Sequence, residues 1–415
     1  MRSAWILYAI GMLVCFSTAH AAVVSSSLPA DADWNTIEYM PGELLVKFYD
    51  GVTDAAAYEL HTQLGCQRLY VSEYVDFDRV SIPEGRTVEE MVAAYEVSPL
   101  VEYAEPNYIA RIMFIPNDTH YSKQWGPECI GAEKCWDVEK GNHSVIVSVI
   151  DTGCDMDHPD LNGNVDKSID YDFVNNDGDA SDDFGHGTHC CGIVAAEINN
   201  SQGIAGLSQV KLMVVKVMDW LGMGTMADIV AGINYSVNNG ARVISMSLGS
   251  TSSSSSLKNA CDNAYNSGVL VVAAAGNSNT SQKTYPAAYT SVIGVAALDD
   301  CTHRASYSNY GWDNVELAAP GTQIYSTMPT YIWFTLYFMG YSTNYDYMDG
   351  TSMACPHVAG VGGAYFSHRP SLTNKNARNH MKKKADDLGA SGRDQYYGYG
   401  RVDMYPFEDY AFFGE

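Results

Sequence analysis

Positive charge is what this sequence has least of: its 415 residues carry 24 Lys and Arg against 49 Asp and Glu, a formal net charge of −25. A protein that tracks a phosphate backbone needs a basic stripe, so the balance argues against nucleic acid as a partner. It argues equally against docking on an anionic membrane. Long apolar runs are also lacking. Beyond the first 21 residues the best candidate, Tyr331 to Met339, has nine residues, against about 20 needed to span a bilayer. Cys-x-x-Cys pairs are absent, which speaks against a structural zinc site. Repeats and cysteine-rich modules are absent too, which speaks against an adhesive or structural protein. What is present is 46% hydrophobic and 18% charged residues, enough to bury a large core. The length suggests two or three units. The acid excess has two readings: plain solubility, or carboxylates gathered to hold a hard cation such as calcium.

Arg2 precedes an apolar run from Trp5 to Phe16, and Ala19-His20-Ala21 fits a small-residue cleavage site. Residues 1–21 therefore read as a secretory signal peptide, and the chain as secreted, extracellular, with no membrane association after its removal. Export permits disulfides. Of ten cysteines, eight fall beyond residue 115, too sparse for a disulfide scaffold. Cys129 and Cys135 are near enough for one local bridge; other pairings cannot be deduced. Sequons at Asn117, Asn142, Asn199, Asn234 and Asn279 matter only if the host glycosylates.

Residues 22–115 read as a small α+β unit. Glu43 to Tyr49 alternates like a strand, Asp54 to Leu64 is helical, Val80 to Ile82 is a strand, Val88 to Tyr95 a helix, and Val101 to Tyr108 extended. That order is the ferredoxin-like pattern. From residue 116 to 415 the texture changes. Apolar runs at 145–150, 212–217, 242–247, 269–275 and 292–296 are separated by helical stretches. Continuous apolar strands predict an α/β fold, a mostly parallel central sheet with helices on both faces. Functional side chains in such sheets sit beyond the carboxyl ends of the strands.

Three residues stand at such ends. Asp151 follows the first strand, in Asp-Thr-Gly. His186 lies between two glycines, ahead of an apolar helix. Ser352 lies in Gly-Thr-Ser-Met-Ala, opening a Gly/Ala-rich helix. Backbone N–H groups at a helix start suit a developing oxyanion. Each motif alone reads equally as a turn, a structural histidine or a helix cap. Together, Asp then His then Ser is one of the chain orders of a catalytic triad.

These motifs carry a family resemblance. Val149 to Gly153, His158 to Leu161, Gly185 to Cys190, Ser245 to Gly249, Ala273 to Asn277 and Gly350 to Gly360 resemble, in order, the subtilisin-type serine proteases, in particular the secreted subtilases of the thermitase and proteinase K kind. The resemblance implies a serine endopeptidase with Ser352 as nucleophile, His186 as general base and acid, Asp151 as its orienting carboxylate and Asn277 in the oxyanion hole. It implies that residues 22–115 are an inhibitory propeptide, acting also as intramolecular chaperone, and that the chain is a self-processed zymogen. Protein or peptide substrates are the implied partners, and the enzyme is expected to be a monomer. Ser247, Leu248, Gly249, Ala274 and Gly276 resemble the walls of the pocket for the residue before the cut, small and apolar, favouring a bulky apolar or aromatic side chain. Gly222 and Gly224 resemble the segment that pairs with an extended substrate. Met226 and Ile229 read either as a further apolar pocket or as helix core.

Calcium is the implied cofactor. Asp118, Asp160 and the Asn200 side chain, with carbonyls of Glu197, Gln202 and Ile204, match the thermitase-type strong site. A second site is implied near Asp172, Asn175, Asp177 and Asp179, whose plain reading is a solvated acidic loop. Cys190 reads as a buried thiol under the site, and Cys191 has no account. Residues 328–348 depart from the family's usual length, as a substrate-contacting flap or a loop packed on the body. A non-catalytic relative would have lost a triad member or the oxyanion Asn, and none is lost. A kexin-like processing enzyme would need a further domain, yet 63 residues follow Ser352.

Overall fold

A computed structural model of the chain describes residues 39–69, 74–110 and 114–404. The expected signal peptide lies outside the described residues. The chain divides into two units, residues 1–111 and 112–415.

The first unit runs β1 (Tyr39–Phe48), α1 (Asp54–Gln63), β2 (Gln67–Arg68), β3 (Asp78–Ser81), α2 (Val88–Glu96) and β4 (Val101–Tyr108). Its sheet has the order β2-β3-β1-β4, with β1 antiparallel to both neighbours. Leu44 and Val46, two apart on β1, turn to one face and pack with Val80, Met91 and Tyr95, as strand periodicity requires. Thr87 and Glu90 close a capping box that starts α2.

The second unit opens with α3 (Gly126–Cys129) and α4 (Ala132–Val138). Seven strands follow: β5 (Ile146–Asp151), β6 (Tyr171–Asp172), β7 (Lys211–Lys216), β8 (Val243–Met246), β9 (Leu270–Ala274), β10 (Ile293–Leu298) and β11 (Leu317–Pro320). They form one sheet, β11-β10-β9-β8-β5-β7-β6, in which neighbouring strands are parallel. Helices α5 (His186–Ala195), α6 (Met226–Asn238) and α7 (Ser255–Asn266) interleave with it. A hairpin of β12 (Ile324–Met328) and β13 (Asn344–Met348) carries the short α8 (Phe334–Met339), and α9 (Thr351–His368) and α10 (Asn374–Lys384) follow.

Both sheet faces are covered. On β7, Leu212 and Val214 enter one core with α9 residues, while Met213 and Val215 enter another with α6 and α7 residues. A strand buried on both sides has no polar face to alternate, so its sequence is apolar throughout. The cysteine expectation needs correction. Cys129 is bonded to Cys301, 172 residues away with Cα atoms 5.5 Å apart. Cys135 is a free thiol turned into the core from α4, so its side chain is committed elsewhere.

Candidate active site

β5 delivers Asp151 to the carboxyl edge of the sheet, where it is buried. Its Oδ1 accepts from Thr152 N at 2.8 Å and lies 2.7 Å from His186 Nδ1. His186 is the first residue of α5. That helix starts at Gly185, which takes φ 102° as its N-cap, and the Asp182 side chain accepts from the turn around it. The buried Asp182 carboxylate accepts from the N–H groups of Phe184, Gly185 and Thr188 at 3.0, 2.8 and 2.8 Å, donors that a helix start leaves unpaired. It also accepts from the Thr152 hydroxyl at 2.9 Å, whose oxygen accepts from Gly187 N at 2.9 Å. Asp182 thus ties the neighbours of Asp151 to those of His186. Sequence reading missed it, although an Asp just ahead of a helix start is a capping signal. The approach is close: a Cβ on Gly187 would overlap the Gly153 carbonyl, so glycine is required there. The buried Lys216 donates to the Thr152 carbonyl and to Asp183, both at 2.6 Å.

Burial disfavours the charged form of His186, but the adjacent Asp151 carboxylate outweighs it and raises the imidazole well above its ordinary pKa. Burial pushes His189 down to about 3 and His357 down to about 4. Both are neutral, and they lie 2.9 and 2.8 Å from the Ile324 and Met353 carbonyls.

Ser352 is the second residue of α9. Its hydroxyl donates to the Ser247 carbonyl at 3.2 Å, and its carbonyl accepts from Ser247 Oγ at 2.7 Å and from Cys190 Sγ at 3.5 Å. Cys190 sits one turn after His186, with Sγ 4.0 Å from His186 Nδ1. One thiol therefore touches both the serine's backbone and the imidazole. Asn277 Oδ1 accepts from Thr351 N at 2.8 Å and Thr351 Oγ1 at 2.9 Å, which fixes its amide and frees Nδ2. Asn277 Nδ2 and Ser352 N lie 3.3 and 3.5 Å from the point where a Cβ on Gly350 would stand. Two donors thus converge beside the serine, the arrangement that stabilises an oxyanion.

A cavity of about 310 Å³ is lined by Ser247, Leu248, Gly249, Ala274 and Gly276, together with Asn277 and Ser352. Its lining has no charged side chain. It is more polar than the small apolar walls expected, because Ser250, Thr251, Ser278, Thr280 and Thr284 contribute hydroxyls. Gly222 and Gly224 are not among that lining. They lie in the turn before α6, with the Phe184 ring 3.2 Å from where a Gly222 Cβ would stand. Ile229 is core, and Met226 packs against the same core.

The expected metal residues come together in part. Asp118 and Asp160 are buried, and Asn200 Nδ2 donates to Asp160 Oδ1 at 2.7 Å. The N–H groups of Asn199 and Ile204 donate to Asp118 Oδ2 and Asp160 Oδ2 at 2.8 and 2.9 Å. Gln202 N donates to Asn200 Oδ1 at 2.7 Å, and Glu197 accepts from Gly163 N at 2.7 Å. Burial, with Asp118 adding to it, pushes Asp160 up to about 6. Two buried carboxylates tied to one loop, residues 199–204, suit a hard divalent cation. The Tyr345 hydroxyl also lies beside Asp160, both oxygens standing 2.2 Å from where a Cβ on Gly203 would sit, a neighbour absent from the sequence reading. Asp172, Asp177 and Asp179 engage their own loop instead. Asp172 accepts from Val174 N, Asn175 N and Asn175 Nδ2, Asp177 from Asp179 N, and Asp179 from Ser181 N. At the second expected site these carboxylates hold the turns of their own loop.

Residues 142–400 match the Subtilase family, and residues 27–107 match the Fervidolysin N-terminal prodomain. The chain is similar to the thermophilic serine proteinase of Bacillus sp. (strain AK1), 40% identical over 370 residues, covering 88% of this chain and 87% of that relative. It is similar to thermitase of Thermoactinomyces vulgaris, 42% identical over 299 residues, covering 72% of this chain and all of the relative. A crystal structure of a lanthipeptide protease matches with a TM-score of 0.63 and 25% identity, covering 71% of this chain and 98% of that one. The chain therefore belongs to the subtilase family and is a subtilisin-type serine protease with an N-terminal prodomain.

Proposed function

We propose that this protein is a secreted serine endopeptidase acting through Asp151, His186 and Ser352, and that it matures by releasing residues 22–115. The 2.7 Å contact between His186 Nδ1 and Asp151 carries the reading. A histidine held this way keeps its proton on Nδ1 and presents Nε2 as the acceptor. Ser352 Oγ attacks the scissile carbonyl while His186 takes its proton. Rotation about the Ser352 Cα–Cβ bond carries the hydroxyl from the Ser247 carbonyl to the imidazole, a tightening common when substrate binds. Asn277 Nδ2 and Ser352 N receive the oxyanion. His186 then protonates the leaving amine, and water hydrolyses the acyl-enzyme by the same route. Asp151 stabilises the imidazolium throughout.

Asn277→Ala should lower kcat by about 10²–10³ with little change in KM, because the lost bond forms only in the transition state. A panel of tetrapeptide anilides tests this and the specificity together. The uncharged cavity favours Phe, Tyr or Leu before the cut over Asp or Lys. Equal rates across the panel would contradict that assignment.

The Cys129–Cys301 bond supports an oxidising, extracytoplasmic setting, and the protein acts there as a monomer. Asp118, Asp160, Asn200 and the carbonyls of Glu197, Gln202 and Ile204 would hold calcium, which would neutralise the carboxylate pair. The metal-free protein should betray this in its pH dependence. Asp160 stands at about 6 in the fold, above the ordinary carboxylate value of about 3.9. The folded state then keeps a proton that the unfolded state has lost, so this group's contribution falls as pH rises from about 4 through 6. Excess chelator should therefore lower Tm by several degrees at pH 7, as expected for loss of a ligand present well above its Kd, and by less at pH 4.5. An unchanged melting temperature at pH 7 would contradict the calcium site.

A further inference from the structure

Residues 328–341 contain no charged side chain. One side of this excursion is fixed to the body. Leu336 is buried and abuts Gly185, the residue before His186. The Tyr331 hydroxyl donates to the Asp182 carbonyl at 2.9 Å, and Thr330 N and Oγ1 donate to Asp155 at 2.8 and 2.7 Å. Thr335 Oγ1 donates to the Trp220 carbonyl at 3.1 Å. The other side is bare. Phe334, Tyr337 and Phe338 are 66%, 76% and 70% exposed, and their i, i+3, i+4 spacing aligns them on one face of α8. Phe334 and Phe338 rings pack against each other with centroids 4.3 Å apart. Beyond the Thr335–Trp220 bond, Trp220, Leu221 and Met223 continue the exposed apolar surface. A soluble protein rarely leaves so contiguous an aromatic surface bare without a use.

We propose that this surface is an exosite for unfolded polypeptide rich in aromatic and aliphatic side chains, which it holds while the same strand enters the cleft. The proposal rests on the serine-protease reading above. Continuity with the cleft names the occupant: the same helix seats Leu336 against Gly185, the residue before His186, and bonds through Thr335 to Trp220, whose 220–224 segment lies beside Phe184. A lipid surface fits less well. Residues 328–341 offer no Lys or Arg, and residues 116–415 carry 33 acidic against 18 basic side chains, which repels anionic headgroups.

The test compares two substrates with one variant, Phe334→Ser/Tyr337→Ser/Phe338→Ser. All three side chains are exposed and none belongs to the triad, oxyanion donors or pocket, so Tm should be unchanged. On a reduced, alkylated globular protein the variant should show KM raised about tenfold with kcat unchanged, the scale expected for losing several aromatic contacts. On a tetrapeptide anilide, too short to reach α8, kcat/KM should stay within about twofold. An equal loss on both substrates, or no change on either, overturns the exosite. So does an unchanged protein KM accompanied by loss of a dimer in sedimentation, or by loss of binding to phosphatidylcholine vesicles; these would make the surface a self-association or lipid face. Failure of the unaltered enzyme to cleave the tetrapeptide at all would instead remove the protease reading beneath it.

Discussion

Ser352→Ala should reduce peptide-bond hydrolysis by about 10⁶, the scale of loss when the nucleophile of a triad is removed. The residue supplies the only side-chain oxygen in the proposed mechanism that forms a bond to the substrate, so no neighbour can substitute. Cys190 and Cys355 offer sulfur nearby, but burial raises both thiols and keeps them protonated. The fold should be indifferent to the change. Ser352 contributes one hydroxyl bond, to the Ser247 carbonyl, and alanine is the best helix former. Tm should therefore move by no more than a degree or two. The same variant should keep its prodomain, because release is proposed as the enzyme's own reaction. A purified Ser352→Ala chain that still matures in isolation would contradict self-processing.

Asp151→Asn should lower kcat by about 10⁴, since an amide no longer enforces the Nδ1–H tautomer. Its pH profile should move as well, in a direction the electrostatics fix. The Asp151 carboxylate holds the His186 pKa above its ordinary value. Catalysis needs the neutral imidazole, so activity falls as pH drops through that pKa. Without the carboxylate the pKa falls, and the acid limb of kcat/KM should shift to lower pH. A limb that stays put, or moves upward, would mean that His186 is not the titrating base.

Much of the candidate site was legible because its parts are short motifs pinned to element ends. Asp151 closes a buried Val/Ile strand, while His186 and Ser352 open helices, and sequence shows all three boundaries. The five expected strands emerged for the same reason: burial on both faces leaves continuous apolar runs. β11, by contrast, is Leu-Ala-Ala-Pro, with no β-branched residue and a proline, and it is a strand because β10 pairs with it. The 328–348 segment has neither strand nor helix period over its length. It is in fact a hairpin with a helical tip, one side of which packs on the body as the packed-loop reading expected. Long-range facts were hidden. Nothing in the sequence links Cys129 to Cys301, and the network around Asp182 joins residues 30 positions apart. Cys191, unexplained from sequence, is a buried thiol of α5 that shares one core with the Cys154 thiol of the loop after β5.

The most direct test of the central claim is covalent. An organofluorophosphonate reacts with a serine only when a base and an oxyanion hole activate it. Treating the mature protein with this reagent and mapping the adduct by peptide mass spectrometry should find one phosphonyl group, on Ser352, formed in step with loss of peptidase activity. Inactivation with the adduct on another residue, or full activity with Ser352 labelled, would contradict the assignment.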